Sequence, residues 1–206
     1  MLKEADFFAR YYGFGSETKA DTLTTREPAK PDKPVKINLL SNHKDEDLIR
    51  LSKELARAKA SGQKVEIYFT NIHPWVALEV VGRIQYIFAD DRSKITIISQ
   101  ASILRPADIY LLKQAGIHNT IGCKSVAMLG PIFEESKIVG FTDLNDHKIS
   151  EPEQEYLTGR IIDGICEKCP KMSREELAEI IKVPRGKTKV YTATELKELG
   201  LVDATF

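Results

Sequence analysis

The sequence predicts an α/β fold with a largely parallel sheet, and two observations carry this prediction. Short apolar runs typical of buried strands alternate with longer segments whose apolar residues recur at helical spacing. This alternation begins at Val35 and continues to the end of the chain. We therefore expect a single α/β domain over residues 35–206, preceded by a distinct N-terminal segment over residues 1–34.

The predicted strands are short, apolar and bounded by polar or turn-forming residues. They cover Val35–Leu40, Val65–Phe69, Ile95–Ile98, Thr120–Cys123 and Val126–Leu129. The predicted helices have an apolar face or a terminal motif, such as acidic residues in the first turn, an opening proline or a capping serine. They cover Asp45–Ala60, Val76–Phe88, Pro106–Gln114, Glu151–Lys168 and a further helix that Ser173 caps.

The N-terminal segment differs in composition from the rest of the chain. Residues Gly13–Pro34 are rich in Gly, Ser, Thr, Lys, Asp and Pro, which predicts a flexible linker. The preceding residues carry an aromatic cluster, and we expect it to pack on the same domain, on a neighbouring subunit or on a partner. The cluster consists of Phe7, Phe8, Tyr11, Tyr12 and Phe14.

Composition excludes several functional classes. The 30 basic and 30 acidic residues balance, so nothing favours nucleic acid as a partner. No apolar run approaches the roughly 18 residues that span a bilayer, and the N-terminus lacks a signal-peptide core, so we expect no membrane association and a cytoplasmic location. Cys166 and Cys169 form a lone C-x-x-C pair, interpreted as two ordinary cysteines with a metal or redox role as the alternative. We expect neither a bound metal nor a cofactor.

The end of the chain carries a recognisable closing element. Thr192 and Glu195 form a T-x-x-E capping box, and Gly200 follows the helix in a Gly-Leu-Val-Asp203 sequence. This element resembles the end of the Clp protease proteolytic subunit and its relatives in the ClpP/crotonase superfamily. The order of strands and helices resembles the same family over about 170 residues, counted by matching elements.

The resemblance implies repeated β-α units with a projecting handle helix, which interdigitates two rings in Clp proteolytic subunits. Ser136–Lys168 occupies the handle position. Tyr156, Leu157, Ile161, Ile162 and Ile165 would then expose much apolar surface, so we expect a homo-oligomer or a hetero-oligomer with ClpP-like subunits. An ATPase unfoldase is a further partner that the resemblance implies.

The family uses a Ser-His-Asp triad, and the matching positions of this chain are degenerate. The nucleophile position falls on Ile103, with Ser102 one residue early, and Ser99 and Ser102 are also interpreted as caps of the helix at Pro106 or of the turn before it. The base position falls on Gly130, and the orienting position falls on Thr188. The histidines lie elsewhere, at His43, His73, His118 and His147.

The loop that forms the oxyanion hole is altered as well. The family has Asn-Ser-Pro-Gly-Gly after its second strand, and its glycine N–H groups stabilise the tetrahedral intermediate. This chain has Asn71-Ile-His-Pro-Trp75, where Pro74 has no N–H group and Trp75 is bulky. His73 beside Trp75 is interpreted as packing, with a binding site as the alternative.

These changes predict a catalytically inactive ClpP-like subunit, a pseudoprotease with a structural or regulatory role in a Clp-type assembly. The first alternative is an active serine hydrolase with a displaced site, in which Ser102 is the nucleophile and Lys113 the base. The second alternative is a crotonase-type acyl-CoA enzyme, which needs two backbone N–H donors for a thioester oxygen.

Overall fold

The computed structural model describes residues 33–39, 45–89, 91–116, 118–132, 151–183 and 187–206, which belong to one compact unit over Pro31–Phe206. The aromatic cluster, nearly all of the predicted linker, the first part of the predicted handle, His43 and His147 lie outside the described residues.

Each of the five predicted strands is present, although the one predicted at Thr120–Cys123 begins and ends two residues earlier. The structure adds three short strands that the apolar pattern did not predict, at Ile103–Leu104, Val190–Thr192 and Ala204–Thr205. The described strands are β1 Val35–Leu39, β2 Val65–Phe69, β3 Ile95–Ser99, β4 Ile103–Leu104, β5 His118–Ile121, β6 Val126–Met128, β7 Val190–Thr192 and β8 Ala204–Thr205.

The described helices fall where apolar periodicity or a capping motif predicts them, and the predicted bounds differ by at most two residues. These helices are α1 Asp45–Ala60, α2 Pro74–Ile87, α3 Pro106–Ala115, α4 Glu151–Glu167, α5 Arg174–Lys182 and α6 Ala193–Glu198, with a 3₁₀ turn at Arg92–Lys94. The predicted closing element is confirmed: Glu195 N–H donates to Thr192 Oγ1 at 3.3 Å, and Gly200 adopts a left-handed φ of 76°.

The larger sheet is parallel throughout and has the order β1-β2-β3-β5-β8. Its central register aligns Val35 with Val65 and Val65 with Ile95. Alternate side chains of β2 and β3 are almost completely buried, as expected when helices cover a parallel sheet. The predicted α/β class with a mostly parallel sheet is therefore confirmed.

A second, smaller sheet has the order β4-β6-β7. β4 runs parallel to β6, and β7 runs antiparallel to β6. One side of this sheet faces the core through Leu104, Ala127 and Tyr191, which are buried.

Helix α4 is correctly predicted as a helix, but the prediction that it stands away from the core is wrong for the described residues. Leu157, Ile161, Ile162 and Ile165 are buried, and α4 packs along α3. The two helices approach closely at Gly164, where a Cβ atom would lie 2.8 Å from Cδ2 of Tyr110. The apolar face that suggested a handle is satisfied within the chain, and only Tyr156, 65% exposed, remains uncovered among the five residues that suggested it.

Candidate functional site

The carboxyl ends of the parallel strands meet at one edge of the larger sheet, where α/β proteins usually bind ligands. Three loops leave from this edge: residues 70–73 after β2, residues 100–102 after β3 and residues 122–125 after β5. The first two loops are the segments in which the resemblance locates the oxyanion hole and the nucleophile.

The residues at the predicted nucleophile position do not open a helix. Helix α3 begins only at Pro106, whereas Ser102 is exposed in the preceding loop and Ile103 lies in β4. Ser99 is fully buried, and its Oγ accepts a hydrogen bond from the N–H of Ala101 at 3.2 Å. Ser99 therefore caps the turn before the helix, as one interpretation of the sequence predicted.

Asp108, the third residue of α3, links these two loops from inside the protein. Its side chain is fully buried, as is almost all of α3. Oδ1 accepts the N–H of Ile72 at 3.0 Å, and Oδ2 accepts the N–H of Arg105 at 2.7 Å. One carboxylate thus binds a backbone donor from the loop after β2 and another from the start of α3.

Burial determines the protonation of this carboxyl group. Removal from water raises the pKa of Asp108 to about 7, although the two backbone hydrogen bonds and the charge of Arg105 favour the ionised form. Our reading of the sequence did not include Asp108. The available indication was an acidic residue in a helix that is otherwise apolar nearly all round, a pattern typical of a buried helix.

The loop after β2 leads directly into α2. His73 Nδ1 accepts the N–H of Trp75 at 3.4 Å and so caps the helix, while Pro74 occupies its first turn. The Trp75 side chain is more than half exposed, so this pair is a helix cap beside an exposed ring rather than a packed cluster.

The predicted base and orienting positions lie next to each other. The antiparallel pairing of Met128 with Val190, continued by two residues, brings Gly130 opposite Thr188. A Cβ atom on Gly130 would lie 2.8 Å from Oγ1 of Thr188, which is too close for a side chain unless Thr188 moves. The Thr188 hydroxyl donates to the carbonyl of Val183 at 3.3 Å.

Lys113 lies near the other end of α3, paired with Asp203 rather than with Ser102. Its Nζ is 3.3 Å from Asp203 Oδ1, and its side chain is only 9% exposed. Asp203 Oδ2 accepts from Asn119 Nδ2 at 2.9 Å, and Asn119 Oδ1 accepts from the N–H of Asp203 at 2.8 Å. This cluster fixes the closing Gly-Leu-Val-Asp element to β5.

An open cavity of about 290 Å³ lies at the carboxyl ends of β3 and β5. Its lining includes Ser102 and Lys124, together with Gln100 and Phe206. The lining side chains therefore offer two hydroxyls, from Ser102 and Ser125, with the amide of Gln100 and the amine of Lys124, but no side-chain carboxylate or imidazole.

The two cysteines of the C-x-x-C pair lie at the end of α4 and just beyond it. Cys169 is buried and its thiol donates to the carbonyl of Leu199 at 2.9 Å, and burial raises the pKa of both thiols. A raised pKa reduces the thiolate fraction that metal binding and redox chemistry require. Within the described ranges no three His, Cys, Asp or Glu side chains come close enough together to hold a metal ion.

No protein-family model matches this chain, and a search of curated proteins found no significant match. The described helices also include none that combines the length and apolar character needed to cross a bilayer. The class that the fold itself defines is an α/β protein with a mostly parallel sheet.

Proposed function

We propose that this chain is a non-catalytic member of the ClpP/crotonase superfamily and serves as a structural or regulatory subunit of a cytoplasmic, oligomeric Clp-type assembly. The observation that carries the proposal is the geometry of the loop after β2, where Pro74 has no N–H group and the N–H group of Trp75 donates to His73 Nδ1 at 3.4 Å. The order of parallel strands and intervening helices supports the same superfamily.

An active site of this superfamily needs backbone N–H groups that are available to a developing oxyanion. The resemblance locates such donors in the loop after β2 and the nucleophile at the start of the next helix. In this chain one N–H group of that loop and one at the start of α3 already donate to Asp108. The positions that match the two glycines of the family are Pro74, which has no N–H group, and Trp75, whose N–H group donates to His73 Nδ1 at 3.4 Å. Neither position therefore offers its N–H group to an acyl substrate.

The same observation weighs against crotonase-type acyl-CoA chemistry, which needs two backbone donors for a thioester oxygen. The approach of Thr188 to Gly130 adds a second obstacle to serine catalysis, because an imidazole at the base position would fit only if Thr188 moved. A triad without its base loses several orders of magnitude in rate.

A hydrolase with a displaced site is the second candidate, because Ser102 is exposed and lines the cavity at the sheet edge. Lys113 does not support it as a base, since its ammonium group pairs with Asp203. Lys124 is the amine that shares the cavity with Ser102.

The test is incubation of the protein with a fluorophosphonate probe and with short fluorogenic peptides. We expect no labelling and no turnover in the wild type. Ser102→Ala is the informative variant, and Ser99→Ala is its control because Ser99 is buried. Labelling that disappears in Ser102→Ala but persists in Ser99→Ala would refute the non-catalytic reading and establish the displaced-site hydrolase.

A further inference from the structure

The outer face of the small sheet exposes apolar side chains. Leu104, Ala127 and Tyr191 point to the core, so their neighbours along each strand point outward. Ile103 is 46% exposed and Val190 is 48% exposed.

These outward side chains form one continuous patch, which also includes Val126 and Met128. Ile103 pairs with Val126 across β4 and β6, and Met128 pairs with Val190 across β6 and β7. Side chains of directly paired residues lie about 5 Å apart on one face of a sheet. We call these four residues, Ile103, Val126, Met128 and Val190, the outer sheet patch. Continuous exposed apolar patches commonly mark interaction surfaces.

The rim of the outer sheet patch is basic. Arg105 follows β4 and Lys124 precedes β6, and both are exposed. Neither residues 99–107 nor residues 122–132 contain an acidic residue, although the chain as a whole has no net charge. Beside β7, Lys189 is neutralised by Glu195 at 3.3 Å, so Arg105 and Lys124 carry the charge of the rim. The patch therefore fits an acidic surface with an apolar centre.

The first turns of α4 provide a surface of this kind on the same chain. Glu153 and Glu155 are exposed there, and no basic residue precedes Arg160 in the helix. Tyr156 follows Glu155 in the helix, and its side chain is 65% exposed. This segment thus combines acidic side chains with a large exposed ring, while the opposite face of α4 is buried against the chain's own core.

We propose that the outer sheet patch binds the first turns of α4 of a second copy of this chain. Tyr156 would lie against the apolar patch, and Glu155 would face the basic rim. Because the two surfaces differ, the contact is head-to-tail, which generates a closed ring or an open filament rather than a two-fold dimer. The inference rests on the assembly part of the proposed function and identifies the surfaces that form it.

The experiment measures native mass by light scattering at micromolar concentration, in low and in high salt. We expect an oligomer that dissociates more readily in high salt, because screening weakens the charged rim. Lys124→Glu alone and Glu155→Lys alone should each weaken association by about tenfold, since each places like charges together. The double variant exchanges the two charges and should restore association to near the wild-type level.

Apolar variants test the centre of the contact. Val190→Ser should shift the mass toward the monomer, whereas Ile49→Ser, at a 51% exposed position on α1, is the matched control and should not. Circular dichroism checks that each variant is folded.

The outcomes separate this inference from the proposed function. An oligomer that none of the patch or α4 variants affects would overturn the inference and leave assembly intact. A monomer under all conditions would overturn both the inference and the assembly part of the proposed function. Probe labelling of Ser102 would overturn only the non-catalytic part.

Discussion

Asp108 makes the stability of this protein depend on pH in an unusual direction. Most carboxylates have a lowered pKa in the folded state and stabilise it above their unfolded pKa. The pKa of Asp108 is instead raised from 3.8 to about 7 by burial. Between these values the folded state binds a proton that the unfolded state has lost, so stability falls as the pH rises.

The magnitude follows from the two pKa values. Within this window the free energy of unfolding falls by up to about 1.4 kcal/mol per pH unit. Integration from pH 5 to pH 8 gives a loss of roughly 2.5 kcal/mol from this one group, and the contribution levels off above pH 8. Such a change is a large fraction of the stability of an ordinary domain.

Asp108→Asn removes the titration and keeps the shape of the side chain. The amide oxygen can still accept one of the two N–H groups, but the amide nitrogen cannot accept the other. The substitution therefore lowers the free energy of unfolding by about 1–3 kcal/mol at every pH. The difference in stability between wild type and variant should therefore narrow as the pH rises from 5 to 8. The other titrating groups contribute equally to the stability of both proteins, so their contributions cancel in this difference.

The measurement is urea unfolding at constant ionic strength, followed by far-UV circular dichroism, because the single tryptophan, Trp75, is already largely exposed in the folded state. Parallel pH profiles for wild type and Asp108→Asn would show that burial does not raise the pKa of Asp108. A difference that widens with pH would show that the two backbone hydrogen bonds outweigh burial and lower the pKa of Asp108.

Two further predictions concern packing and the closing element. In thermal unfolding, Gly164→Ala should lower the free energy of unfolding by about 1–3 kcal/mol, because the new methyl group meets the buried ring of Tyr110. Gly159→Ala should raise it by about 0.5–1 kcal/mol, because the space around its Cβ position is open. Equal effects of the two changes would contradict the close helix contact. Asp203→Ala should lower the free energy of unfolding by about 1–3 kcal/mol, because it removes the hydrogen bonds that the carboxylate accepts from Asn119 and leaves the mostly buried ammonium group of Lys113 without its carboxylate partner. Asp163→Ala, which removes only a surface ion pair, should cost less than about 1 kcal/mol, and a cost equal to that of Asp203→Ala would contradict this account.

The sequence predicts those elements whose signals are local. Helix α1 and strand β2 match their predicted bounds because their apolar periodicity and flanking residues are unambiguous. Strand β5 was predicted two residues late because it begins with two polar residues, His118 and Asn119. The side chain of Asn119 is buried in this strand and binds Asp203, a residue far away in the chain.

Long-range contacts also explain what the sequence analysis missed around the candidate site. The apolar face of α4 was recognised, but the pattern could not indicate that α3 covers it. The role of Asp108 depends on Ile72, which is 36 residues away, and no local motif links the two. Buried charges are poorly predicted in general, because their environment is assembled by the fold rather than by neighbouring residues.

Gly130 and Thr188 are the positions that the proposed resemblance assigns to the base and the orienting residue of a triad. The two positions were assigned separately, one from the strand before Pro131 and the other by counting back from Gly200. In the structure the two residues are neighbours: a Cβ atom on Gly130 would lie 2.8 Å from Oγ1 of Thr188. This proximity follows from the antiparallel pairing of β6 with β7. Neither residue supplies an acid or a base, because glycine has no side chain and the Thr188 hydroxyl donates to the carbonyl of Val183.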